Sequence, residues 1–225
     1  MTTLFGYIFT WDGFGKGEGT DKYSDLFSEA LMKMSQFKTS RGKSRMTSKR
    51  WQALTYESRQ PLLGEDPGFV ESVWTYPIRL RVNDTTGTIV IAAPRYAITD
   101  AAVQTINSRL APNVRRKLVN VGEVSDHLLQ PAPQQFAITY YMADVPGYGS
   151  ALNTISLHGD DIAAADFLVK ERASFTARQI GVRPLSQRAE CGRFGNTGSI
   201  QFRDEYIEML EQFLAYTYSN GFYID

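Results

Sequence analysis

From Trp74 to Val82 the chain alternates without a break. Trp74, Tyr76, Ile78, Leu80 and Val82 are apolar or aromatic, and Thr75, Pro77, Arg79 and Arg81 stand between them. A period of two residues describes a strand with one face buried, because successive strand side chains point to opposite faces. Phe136, Ile138, Tyr140 and Met142 repeat the pattern. Pro77 cannot donate to a ladder, so it calls for an edge or a bulge. The Asn83–Gly87 turn and the apolar run Thr88–Ala92 complete a hairpin.

Other stretches have helical spacing instead. From Asp21 the apolar side chains fall at Tyr23, Leu26, Phe27, Ala30, Leu31, Met34 and Phe37. Steps of three and four put them on one helical stripe, with Thr20 or Asp21 as N-cap. Residues 99–110 predict a helix capped by Thr99, with Ala102, Ile106 and Leu110 on one face and Pro112 as its stop. Asp160 and Asp161 open a third helix, reaching about Arg172. A fourth starts near Asp204, aligns Ile207, Leu210, Leu214 and Thr217, and stops at Asn220–Gly221. Short strands are expected at Thr3–Thr10, from Trp51, at Asn153–Leu157, around Phe175–Val182 and at Ser199–Arg203.

Hairpins and helices in this order lack the regular strand–helix alternation of a doubly wound fold. They predict an α+β chain: a mixed, largely antiparallel sheet with about four helices packed on it. Residues 1–225 form a single domain or two closely packed subdomains, with a junction near 110–133. The 43% hydrophobic and 12% aromatic content supports a folded core. No apolar run approaches the roughly 18 residues of a membrane helix. The N-terminus reads as a first strand, not a signal peptide. Cys191 is the only cysteine, which rules out an internal disulfide and favours a reducing cytoplasm.

The charge distribution is uneven. The chain holds 24 basic and 24 acidic residues, yet Phe37–Trp51 carries Lys38, Arg41, Lys43, Arg45, Lys49 and Arg50 and no acid. Without those six, 18 basic residues would face 24 acidic ones. The segment has no periodicity and reads as a long loop, mobile over 38–50. Its charges suit a phosphate backbone, its serines and threonines could donate further hydrogen bonds, and Trp51 could stack on a base. A solvated loop and contact with an acidic protein are the competing explanations. Arg115, Arg116 and Lys117, and then Arg172, Arg178, Arg183, Arg188 and Arg193, form further basic groups.

Residues 11–21, WDGFGKGEGTD, place glycine at every second position before a helix. Lys16 is followed by Gly17, so the phosphate-loop pattern fails, as does the dinucleotide spacing. Gly159-Asp160-Asp161 follows a strand and resembles the metal-binding turn of polymerase or cyclase palm domains. With Asp12, that resemblance implies a site for Mg²⁺-dependent phosphoryl transfer. Helix capping explains the same aspartates without a metal. His127, His158 and Cys191 show no spacing that pairs them for nucleophilic chemistry.

The expectation is therefore a non-catalytic subunit of a larger cytoplasmic assembly. It would bind DNA or RNA through Lys38, Arg41, Lys43, Arg45, Lys49, Arg50 and Trp51 without a cofactor, and contact a protein partner or a second copy of itself. A Mg²⁺ enzyme using Asp12, Asp160 and Asp161, and an adaptor for an acidic partner, are the alternatives.

Overall fold

The computed structural model describes residues 3–11, 21–39, 52–61, 71–83, 86–110, 113–130, 134–145, 153–164, 166–171 and 174–224. Two compact units divide the chain: Phe9–Arg115, and Met1–Ile8 together with Arg116–Asp225. The expected α+β class with a largely antiparallel sheet is what forms.

The first strand, β1 (Thr3–Trp11), begins in the second of these units and ends in the first. The Phe9–Arg115 unit continues with α1 (Asp21–Met32), β2 (Phe37–Thr39), β3 (Gln52–Pro61), β4 (Glu71–Asn83), β5 (Thr88–Ala92) and α2 (Tyr96–Leu110). Strands β2, β3, β4 and β5 pair antiparallel in that order. Strand β6 (Val114–Arg116) pairs with β1. Phe27, Ala30 and Leu31 from α1 and Ala102 and Ile106 from α2 are buried, as are Ile78, Leu80, Ile89 and Ile91 from the sheet.

Three local expectations need correction. Helix α1 ends at Met32, so Met34 and Phe37 lie beyond it. The amides of Met34 and Phe37 bond to the carbonyls of Leu31 and Met34. These tight i→i+3 turns keep a spacing of three after the helix has stopped, and Phe37 enters β2 as a buried strand residue. Thr99 is not a cap: α2 starts at Tyr96, and the buried Thr99 hydroxyl donates to the Tyr96 carbonyl at 2.7 Å. Arg81 is not on a wet face, being only 5% exposed. It lies where β4 has neighbours on both sides, β3 and β5. At Pro77 the pairing with β3 runs on without a register shift, whereas β5 flanks β4 only from Arg79 onward. The proline thus occupies an edge position, not a bulge.

The other unit contains β7 (Leu118–Val119), α3 (Val121–Leu128), β8 (Phe136–Asp144), β9 (Thr154–His158), α4 (Asp166–Glu171), β10 (Thr176–Pro184), β11 (Gly192–Gly195), β12 (Ser199–Arg203), α5 (Ile207–Ser219) and β13 (Tyr223–Ile224). Its sheet runs β1–β12–β11–β10–β8–β9, and β13 pairs separately with β7. Helices α3 and α5 both pack against β10. Helix α3 escaped the sequence reading. Its N-cap is Asn120, whose side chain accepts from the Glu123 amide at 3.2 Å. The buried face of α5 is Ile207, Leu210, Phe213, Leu214 and Thr217, so the expected stripe holds and gains Phe213. The helix ends at Asn220, and Gly221 follows at φ 71, where a glycine avoids the left-handed penalty.

A short hydrogen-bond chain ties β13 back to α5. Thr217 donates to the Tyr223 hydroxyl at 2.9 Å, which donates to the Leu214 carbonyl at 3.2 Å. Burial pushes the Tyr223 phenol up from 10.0 to about 12. Because the folded-state value is raised, this stability is present in full below pH 10 and is lost as pH rises through about 12. Alkaline unfolding followed with Tyr223→Phe should therefore show a flatter loss of stability across that window than the wild type.

Candidate nucleic-acid interface

The basic segment begins in a short strand at one end of the sheet order. Phe37, Lys38 and Thr39 of β2 stand opposite Tyr56, Thr55 and Leu54 of β3. Lys38 thus has a fixed register position, while Arg41, Lys43, Arg45, Lys49, Arg50 and Trp51 lie outside the described residues. Strand β3 resumes the chain at Gln52. The described residues on either side of 40–51, Thr39 and Gln52, therefore belong to neighbouring antiparallel strands.

The same register builds an aromatic row. Phe37 is opposite Tyr56, and Tyr56 is opposite Tyr76. Directly opposed residues share a face of the sheet, so the three line up across β2, β3 and β4. The Phe37 ring is 5.2 Å from that of Tyr56. Phe37 is buried, and Tyr56 and Tyr76 are half-buried. The Arg95 guanidinium lies 5.1 Å from the centre of the Tyr76 ring, at cation–π distance. Trp74, two residues before Tyr76 on the same face, is 56% exposed and opposite Ser58. A cleft of about 290 Å³ beside the row is lined by Ser35, Gln36, Tyr56, Glu57 and Ser58.

Sequence alternation put Trp74 and Tyr76 on the buried face together with Ile78. The face assignment holds, but β4 outruns its core: exposure grows from Ile78 through Tyr76 to Trp74. The signal for this lay in strand lengths, with a long β4 partnered by a shorter β5.

No family model matches the chain, and no curated protein matches it.

Asp160 and Asp161 follow β9 and are exposed. The expected helix to Arg172 is instead a single 3₁₀ turn, Ile162–Ala164, followed by the short α4. Asp161 performs the capping: its carboxylate accepts from the Ala163 amide at 3.0 Å. Asp160 uses its backbone carbonyl, which accepts from Arg183 at 2.9 Å. Asp12 and Arg172 lie outside the described residues, as does most of the glycine-rich stretch, 12–20. Among the described residues, no three His, Cys, Asp or Glu side chains are placed to hold a metal ion. Asp161→Ala should lower stability by about 1 kcal/mol and Asp161→Asn by much less, read from urea midpoints. Manganese binding that survives in the wild type and disappears in Asp160→Asn would instead make these carboxylates a metal site.

Cys191 is fully buried. Desolvation, reinforced by the neighbouring Glu190 carboxylate, pushes its thiol well above the ordinary range and leaves it a poor nucleophile. The His158 ring packs at 4.7 Å on Tyr140, and that of His127 at 5.3 Å on Phe222.

Much of the remaining basic cluster is engaged locally. Arg178 pairs with Asp144 at 2.6 Å. Arg183 donates to the Gln187 carbonyl at 2.7 Å. Arg193 pairs with Glu190 at 2.9 Å and lies 4.2 Å above the Tyr140 ring. Arg188 is exposed. Arg116 lies over Tyr7 and Lys117 over Tyr223, at 4.9 and 5.6 Å; Arg115 is exposed. No helix among the described residues is long and apolar enough to cross a membrane.

Proposed function

We propose that the protein is a non-catalytic nucleic-acid-binding subunit of a larger cytoplasmic assembly, and that it grips phosphates through Lys38, Arg41, Lys43, Arg45, Lys49 and Arg50. One observation carries this reading: six cations and no anion within the fifteen residues Phe37–Trp51, on a chain whose remaining charge is net negative. A phosphate backbone attracts such a segment by Coulomb interaction and by the release of condensed counterions, whatever the fold around it. The register of β2 with β3 supports it further, because the described residues flanking 40–51 lie in paired strands at one end of the sheet order. A tethered cationic segment loses less freedom on binding than an untethered tail would.

Purification supplies the test. Protein prepared at low salt should carry ultraviolet absorbance in excess of its aromatic content, and nuclease digestion should remove that excess. Protein free of nucleic acid that also fails to bind added DNA or RNA at low salt would sink the proposal. An acidic protein surface would then be the better partner for the segment.

A further inference from the structure

We infer that the nucleic acid is single-stranded, and that Trp74 and Tyr76 of β4, with Arg95 over Tyr76, form the surface on which its bases stack. This rests on the phosphate-binding reading above and adds to it the face on which the bases lie. Three observations converge on that face. Trp74 is 56% exposed on a strand whose next inward neighbours on the same face are half-buried and then fully buried. An aromatic ring so presented offers its surface to any base, because every base has a π-face.

Trp74 and Tyr76 are also two residues apart on one strand, a rise of about 6.6–6.8 Å, which separates two stacking positions along an extended strand. Arg95 at 5.1 Å from the Tyr76 ring adds a cation to the platform, the combination used for single-strand recognition. Finally, the row Phe37–Tyr56–Tyr76 runs from this face to β2, the strand in which the cationic segment begins. The strand in which the cationic segment begins and the strand that carries these rings thus belong to one sheet, with β3 between them. The adjacent cleft offers Ser35, Gln36 and Ser58 to polar base edges.

A duplex presents its phosphates but keeps its bases stacked on one another, so it would use the cations and not the rings. Oligothymidylate, oligouridylate, an abasic strand of equal length and a duplex of matched phosphate count separate the two contributions. Fluorescence anisotropy should show both base-bearing strands binding about tenfold or more tightly than the abasic strand and the duplex. Trp74→Ala should erase that advantage and leave abasic affinity unchanged, while Trp74→Phe should retain most of it. A circular dichroism spectrum like the wild type's should accompany both variants. Equal affinity for base-bearing and abasic strands overturns the inference while leaving phosphate binding in place. So does an advantage for bases that Trp74→Ala does not touch. If the wild type binds none of the four probes, both proposals fall together.

Discussion

Serine at positions 38, 41, 43, 45, 49 and 50 is expected to remove nearly all nucleic-acid affinity and almost no stability. The segment has no helical or strand periodicity that would tie these charges to a core face. Surface substitutions of that kind stay within about 0.5 kcal/mol, so the thermal transition should barely move. Binding responds far more strongly. On a duplex probe, if all six cations meet B-DNA phosphates, the slope of log affinity against log salt is about −0.9 for each contact. Raising salt from about 50 to about 200 mM then weakens wild-type binding on the order of a thousandfold. The six-serine variant should start weak and respond little to salt. Sequence preference should be slight in both, because phosphates carry no base information directly. Anisotropy titrations across salt read all of this, and unchanged affinity in the variant would defeat the proposal.

The second large effect is expected in the core. Phe213 on α5 is fully buried, its ring 5.2 Å edge-on from Phe136 of β8 and 4.5 Å from Phe194 of β11. Truncating a buried phenylalanine loses its transfer free energy and leaves a cavity that its neighbours only partly close. Phe213→Ala should therefore cost about 3–5 kcal/mol. Against a total stability of about 5–15 kcal/mol, that is a large share. The urea midpoint should fall accordingly. A loss below about 1 kcal/mol would mean that the aromatic cluster can close over the gap.

The fold class was legible because period-two and period-3.6 patterns survive in the strongest elements. Strands β4 and β8 and helix α5 follow from spacing alone, and the Asn220–Gly221 stop is a local signal that tertiary context did not override. Weaker elements were lost where local and long-range forces compete. Helix α3 is only eight residues long, too short for a clear period, and it depends on packing against β8 and β10. Strand β11, Gly192–Gly195, is half glycine and becomes a strand because β10 and β12 flank it. The cationic segment was conspicuous in composition. The aromatic row was not, since it exists only through the pairing of β2, β3 and β4, and a register between strands is not written within any one of them.

Strand β1 has a consequence for biosynthesis. Thr3 pairs with Arg203 and Tyr7 with Ser199, so this strand's β12 ladder joins residues about 200 positions apart. A ribosome adding roughly 5–20 residues each second needs on the order of 10–40 s to deliver that partner. From the addition of Arg115 onward, the later part of that interval, Phe9–Arg115 is complete as a continuous stretch, while the unit holding Thr3 is not. An apolar strand waiting that long for β12 is a natural client for a chaperone, and any nascent chain cut short before Ser199 would leave the positions that pair with β12 open to a strand from another molecule.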